Sequence, residues 1–233
     1  MNKSILYGSE KIDYKLIFVD RKSLGITVQS DKSVVVKAPV GSSIDLIDKK
    51  ILKRASWILK QKDHFLSFEP RITKRKYVTG ETHLYLGRQY QLVINNSDKD
   101  YVKFTGARIE IFTRNKSDAK SILEKWYKEK AQLLFPKLAE PLIQRFEKHG
   151  VSPPKKLELR NMKLRWGGSC SPNGMILLNP ELIKAPKACI EYVIVHELCH
   201  LIYKDHNKKF FNLQSYEMPN WEKWKSKLEM ILA

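Results

Sequence analysis

The chain has 233 residues, 42% of them hydrophobic, and carries 43 Lys and Arg against 25 Asp and Glu, a formal net charge of +18. This length and apolar content suffice for one large core or two small ones, and no stretch approaches the roughly 20 apolar residues of a membrane span. The charge suits a polyanion such as nucleic acid, and equally a solvated lysine-rich surface, because the lysines are dispersed.

The residues also indicate a compartment. The first 16 residues contain no apolar segment of signal-peptide length. The cysteines number three, Cys170, Cys189 and Cys199, and an odd count in a chain of this size argues against a disulfide framework. We therefore expect a cytoplasmic protein that is not exported, and the sequence gives no signal about its oligomeric state.

The first half of the chain has the period of strands, interrupted by one helix. Alternating or β-branched segments occupy residues 14–19, 25–28, 33–39, 82–94 and 107–112. Between them, apolar residues fall on one helical face over residues 43–65, and a basic connector spans residues 69–77. The face comprises Ile44, Leu46, Ile47, Ile51, Leu52, Ala55 and Ile58. No internal repeat is detectable in the sequence.

The second half opens with a long amphipathic pattern over residues 117–149. Pro136 and Pro141 are expected to kink or divide this helix, and Gly150 to end it. Two strands follow at residues 156–166 and 174–178, joined by a glycine-rich turn, and then a helix at residues 187–203.

These patterns predict an α+β fold of two domains. Residues 1–115 form a β-rich part with one helix, and residues 116–233 form a domain of helix, small sheet and helices.

The pattern H-E-x-x-H lies inside the apolar helix predicted at residues 187–203. Residues four apart share one face of a helix, so His196 and His200 can direct their imidazoles at one ion while Glu197 flanks them. Zinc prefers nitrogen ligands, and a catalytic zinc site keeps three protein ligands and one water. Glu197 is then the candidate general base.

The third ligand has three candidates. His206 lies six residues after His200, which on a continued helix is roughly 240° away, so the helix must turn before it. The polar residues 203–205 are compatible with that turn. Glu217 and Glu222 are the competing carboxylates, of the kind found in His-His-Glu sites. Of the three we favour His206.

Four segments resemble the YgjP-like metallopeptidases, relatives of the SprT-like and WLM-domain proteases. They are RWGGSCS at residues 165–171, GMILLN at 174–179, YVIVHELCHL at 192–201 and DHNKKFF at 205–211. The resemblance implies zinc ligands His196, His200 and His206, the base Glu197, and a β-rich part before a minimal zincin core. One departure is an extra glycine, since Gly167 and Gly168 stand where the family has one; any role copied onto Ser169 or Cys170 is therefore open.

Other residues near the motif have structural interpretations. Arg165 and Trp166 line a cleft or, more simply, brace the helix against the sheet. Cys199 lies 100° from the metal face and is expected to be a buried thiol. Tyr203 and Tyr216 are candidate donors to an oxyanion. Residues 174–179 form either an edge strand for an extended substrate or an inner strand. Core contacts are expected of Phe210, Phe211, Trp221 and Trp224.

The sequence thus predicts a zinc metallopeptidase that cleaves proteins or peptides. The alternatives are a nucleic-acid-associated protein with a structural zinc site, a protease acting on DNA-bound proteins, and a zinc hydrolase of another bond. A structural site would not need Glu197 and would use a fourth protein ligand.

Overall fold

The computed structural model describes residues 1–8, 10–29, 31–66, 75–162 and 167–232. It is an α+β protein, which confirms the predicted class. The chain packs as two compact units, Met1–Ile72 and Thr73–Leu232. These units have other boundaries than the predicted domains 1–115 and 116–233. Compact packing does not by itself test domain organisation, so the two domains stay a prediction.

The first unit contains a four-stranded sheet and two helices. The strands are β1 (Asn2–Tyr7), β2 (Glu10–Val19), β3 (Gly25–Val28) and β4 (Val34–Pro39), in the order β1-β2-β4-β3. β2 and β4 are parallel and the outer pairs are antiparallel. Alternate residues of β2 and β4 point to one face and are buried there, including Ile12, Leu16 and Val36.

The predicted single helix of this unit is two helices, α1 (Ile44–Lys53) and α2 (Ala55–Leu66). Arg54 leaves helical geometry at φ −107° and ψ 4° and separates them. Ile47 and Ile51 are buried against the sheet, whereas Leu46 and Leu52, expected on the same face, are exposed. The break lets Ala55 and Ile58 of α2 reach the same core.

The second unit begins with a sheet of the same topology as the first. Its strands are β5 (Thr82–Tyr85), β6 (Arg88–Asn96), β7 (Tyr101–Phe104) and β8 (Arg108–Thr113), in the order β5-β6-β8-β7. The inner pair is again parallel and the outer pairs antiparallel. The two sheets therefore repeat one topology although their sequences show no repeat.

A long helix, α3 (Ala119–Phe146), follows this sheet and is not divided by its prolines. Pro136 and Pro141 lie on the exposed face, and the buried face through Phe135, Ala139 and Leu142 is unbroken. Packing along that face holds the helix together where each proline removes one backbone hydrogen bond. After a short 3-10 turn, Gly150 ends the segment at φ 72°, as predicted.

A three-stranded sheet comes next. Its strands are β9 (Lys156–Leu159), β10 (Gly168–Cys170) and β11 (Met175–Leu178), in the order β10-β11-β9. The glycine-rich segment, expected as a turn, forms strand β10, and the actual turn is Ser171 to Gly174, closed by two backbone hydrogen bonds of 2.9 and 3.0 Å. β11 is the central strand, so the edge-strand interpretation of residues 174–179 was wrong. Arg165 and Trp166 lie outside the described residues.

The helix that carries the H-E-x-x-H motif lies at the centre of the second unit. This helix, α4 (Lys187–Cys199), packs against α3, β10, and the last two helices, α5 (Lys208–Glu217) and α6 (Trp221–Leu232). It is buried on nearly every side, including Cys189 and Cys199, whose thiol pKa values burial raises to about 11 and about 12. Among the described residues, no helix is both long and apolar enough to cross a membrane.

Candidate metal centre

The turn that His206 requires lies directly after α4. The backbone N–H groups of Leu201 and Ile202 donate to carbonyls three residues earlier, at 3.1 Å each, which tightens the end of the helix. The chain reverses at residues 203–207, where the Asn207 side chain accepts the backbone N–H of Phe210 at 3.0 Å and caps α5. The predicted turn is therefore present, and α4 ends at Cys199, four residues before the expected end.

This turn brings His196, His200 and His206 together. The Nε2 atom of His206 lies 3.0 Å from Nε2 of His196 and 3.1 Å from Nε2 of His200. Two nitrogens bound to one zinc at about 2.0–2.1 Å in tetrahedral geometry lie about 3.3 Å apart. The spacing of the three imidazoles thus fits one metal ion of this size.

Hydrogen bonds on the far side of two rings fix which nitrogen faces the centre. His196 Nδ1 lies 2.8 Å from Oε1 of Gln214, and His200 Nδ1 lies 3.0 Å from the carbonyl oxygen of Tyr203. Because both oxygens only accept, each Nδ1 carries the proton and donates it, which leaves the Nε2 lone pair directed inward. Such partners orient imidazoles and raise their basicity as metal ligands.

The electrostatics of the centre favour the neutral imidazole at His196 and at His206. Burial lowers the pKa of His196 to about 4, reinforced by the other two histidines and opposed by the hydrogen bond to Gln214. Burial also lowers the pKa of His206, with the neighbouring His200 acting in the same direction. Converging lone pairs on neutral rings repel one another unless a cation lies between them, so the donor set fits a metal ion.

Phe210 forms the floor of the centre. Its side chain is fully buried, and its ring centroid lies 5.0, 4.7 and 4.8 Å from those of His196, His200 and His206. The apolar ring restricts the tilt of all three imidazoles. The core role expected of Phe210 thus includes the support of the site.

Glu197 lies beside the histidines on α4 and is buried, with 4% of its surface exposed. Its side chain packs against strand β10 at Gly168, where a Cβ atom, if the residue had one, would stand 2.8 Å from both Cγ and Oε1 of Glu197. Such contacts are shorter than folded proteins tolerate, so only glycine at this position leaves room for the carboxylate. A Cβ atom at Gly167 would instead have its nearest neighbour at 3.9 Å, on Val193.

The other candidate ligands lie elsewhere. Glu217 is buried in ion pairs with Arg145 at 2.7 Å, Lys148 at 2.9 Å and His149 at 2.7 Å. Glu222 is exposed on α6, and among the described residues the metal-type cluster contains only the three histidines.

The structure also gives the surroundings of the three other candidate residues near the motif, two tyrosines and a cysteine. Tyr203 contributes its backbone carbonyl oxygen as the partner of His200 Nδ1, and a role of its hydroxyl as an oxyanion donor stays a prediction. Tyr216 is 68% exposed, and its ring contacts His149 and Lys148. Cys199 is buried and does not join the histidine cluster.

Sequence reasoning missed Gln214, Phe210 as a floor, and Gly168 as a neighbour of Glu197. All three lie far from the motif in sequence or in another element, and a single sequence carries no spacing that links them to it. The second of the two glycines was the one visible signal, since a glycine inside a strand indicates close approach of another group.

One comparison bears on identity. A protein-family model described as "YgjP-like, metallopeptidase domain" matches residues 22–230, nearly the whole chain, which confirms the resemblance drawn from the sequence. No curated protein matches the chain.

Proposed function

The chain belongs to the YgjP-like metallopeptidase family, and we propose that it hydrolyses peptide bonds with a zinc ion held by His196, His200 and His206, and with Glu197 as general base. The family supplies the reaction class and the need for a metal. The observation that carries the rest is the convergence of three imidazoles, in which Nε2 of His206 lies 3.0 Å from that of His196 and 3.1 Å from that of His200, beside a buried carboxylate.

Zinc is favoured by the chemistry of the donors. Three imidazole nitrogens and an open fourth position are typical of catalytic zinc, whereas calcium and magnesium prefer oxygen ligands. When bound, the ion supplies a Lewis acid and lowers the pKa of a coordinated water toward about 7.

Glu197 then moves the proton. Its carboxylate, next in sequence to His196 and held against β10, accepts a proton from the attacking water and returns it to the leaving amine. Burial of the carboxylate excludes bulk water from this transfer. The fit of Glu197 against Gly168 keeps the acceptor oxygens in one position.

Strand β10 offers a place for the substrate backbone. The Gly167 carbonyl accepts the backbone N–H of Asn179, directly after β11, at 3.0 Å, and the Ser171 N–H donates to the Met175 carbonyl at 2.9 Å. The alternate residues Gly168 and Cys170 therefore direct their backbone groups to the outer edge. An extended peptide that pairs with this edge passes Gly168, the residue against which Glu197 packs. The edge strand that we propose for substrate binding is therefore β10 rather than the segment at residues 174–179.

A structural zinc site in a nucleic-acid-binding protein is the main rival. Structural zinc sites are closed by four protein ligands, and among the described residues no fourth histidine, cysteine or carboxylate joins the three histidines. The net charge of +18 by itself is equally compatible with a solvated surface. The composition of the site therefore favours the peptidase.

The proposal is tested by metal content and cleavage together. Wild type reconstituted with zinc is expected to hold one zinc per chain and to cleave an unfolded protein, whereas Glu197→Gln should keep the zinc and lose at least about 100-fold in rate, the range of general base catalysis. His206→Ala should bind zinc much more weakly. Zinc bound by wild type without any cleavage, or equal cleavage by Glu197→Gln, would refute the assigned reaction.

A further inference from the structure

A row of aromatic rings runs from His206, on one side of the metal centre, to Tyr192, whose ring centroid lies 6.0 Å from that of His196. The ring of His206 lies 6.0 Å from that of Phe211 at an interplanar angle of 24°, and Phe211 lies 5.6 Å from Trp221 at 17°. Trp221 in turn lies 6.2 Å from Tyr192 at 12°. The four rings come from the turn after α4 and from α5, α6 and α4, each lies within 24° of the plane of the next, and one of them is a candidate metal ligand.

The geometry leaves part of the row open. Parallel rings in full face-to-face contact would be separated by roughly the 3.5–4.0 Å of carbon contacts. Centroid separations of 5.6–6.2 Å exceed this value, so the rings are not in full face-to-face contact with one another. Phe211, expected to make core contacts, is 37% exposed, whereas Trp221 is half-buried and packs against the core as predicted.

The row is also held in place. Tyr192, at its inner end, is buried on α4. The indole Nε1 of Trp221 donates a hydrogen bond to Oγ of Ser215 at 3.0 Å, which uses the only polar group of that ring. What the two outer rings present beside His206 is therefore a fixed apolar surface.

We propose that Phe211 and Trp221 form the subsite for a large apolar, preferably aromatic, side chain of the peptide substrate next to the bond that is cleaved. The inference rests on the proposed function and adds the substrate class. Rings held in one position bind another ring by offset stacking and by burial of apolar surface, and they offer neither a hydrogen-bond donor nor a positive charge to an acidic side chain. Proximity to His206 places that side chain adjacent to the reacting group.

The test measures binding with two small zinc chelators that differ in one side chain. Phenylalanine hydroxamate and alanine hydroxamate are titrated into zinc-loaded protein, and their dissociation constants are compared by calorimetry. We expect the benzyl compound to bind wild type at least about tenfold more tightly, the lower end of discrimination by an apolar site. In a Phe211→Ala, Trp221→Ala double variant the ratio should fall below about threefold, with unchanged zinc content.

Tyr216→Ala is the matched control, because it removes an exposed ring from the same helix as Phe211 without touching the row. Its ratio should equal that of wild type. Cleavage sites in an unfolded protein, located by mass spectrometry, give a second readout, and their enrichment in aromatic neighbours should decline in the double variant.

The possible failures are distinguishable. If zinc and both hydroxamates bind but wild type shows no preference, or the double variant keeps it, the subsite is refuted while the peptidase proposal stands. If wild type binds no zinc at stoichiometric level, the proposed function is refuted and the subsite with it.

Discussion

Replacement of Gln214 by leucine separates metal binding from folding. Gln214 is fully buried on α5, and its Oε1 accepts the Nδ1 proton of His196 at 2.8 Å. Leucine has nearly the same volume and so leaves no cavity, but it has no acceptor. The variant therefore tests whether this hydrogen bond prepares His196 as a ligand.

The expected magnitude follows from the burial of the hydrogen bond, since Gln214 is fully buried and His196 is half-buried. Without Oε1, the Nδ1–H group of His196 has no partner inside the protein, and an unpaired buried donor costs about 1–3 kcal/mol. In the metal-free protein the ring can turn or change tautomer and so avoid this cost, whereas zinc on Nε2 keeps Nδ1–H unpaired, so the cost falls on zinc binding. Since about 1.4 kcal/mol corresponds to a factor of ten, zinc affinity should fall by roughly 10–100-fold. Stability should change little, because Nε2 of Gln214 has no hydrogen-bond partner among the described residues and leucine removes that group too.

Zinc affinity is measured by competition with a chelator of known strength, and stability by urea unfolding of the metal-free protein. Gln214→Glu is the control, because it restores an acceptor at the same position and should recover most of the affinity. Wild-type affinity in Gln214→Leu, or equal weakness of the leucine and glutamate variants, would refute the orienting role.

Two further predictions concern Glu197 and Glu217. Gly168→Ala should displace the Glu197 carboxylate and lower the cleavage rate by roughly 100-fold with zinc retained. Gly167→Ala should keep the wild-type rate, because a Cβ atom there has its nearest neighbour at 3.9 Å. An unchanged rate in Gly168→Ala would contradict this prediction. Burial raises the pKa of Glu217, but the hydrogen bonds from His149 and Lys148 and the nearby positive charges outweigh it and hold this pKa below its usual value. Its contribution to stability is therefore complete above the unfolded pKa of about 4.3 and disappears as the pH falls through the lower folded value. Glu217→Gln should lower the free energy of unfolding in urea by about 1–2 kcal/mol at pH 7, a reduced figure because Arg145 and Lys148 are partly exposed. The loss should become progressively smaller below about pH 4. A difference independent of pH would contradict the ion-pair explanation.

The local periodicities predicted most helices and strands. The predictions failed where contacts between elements determine the local structure. Pro136 and Pro141 were expected to kink or divide α3, and they do not divide it, because both lie on its exposed face and the buried face keeps the helix continuous. Residues 168–170 have the composition of a turn but form a strand, because they pair with β11. The glycine at position 168 instead provides the space that the Glu197 side chain occupies. Which face of α1 is buried was also decided by contacts with the sheet.

The sequence by itself determined the parts of the site that depend on local geometry. The four-residue spacing of His196 and His200 on a helix places two imidazoles on one face, and the six-residue gap to His206 demands a turn, whatever the rest of the fold. Only the tertiary structure decided what surrounds them, since Gln214, Phe210 and Gly168 reach the histidines and Glu197 through packing of α5 and β10 on α4. Such contacts join residues from separate elements, and no periodicity within one segment encodes them.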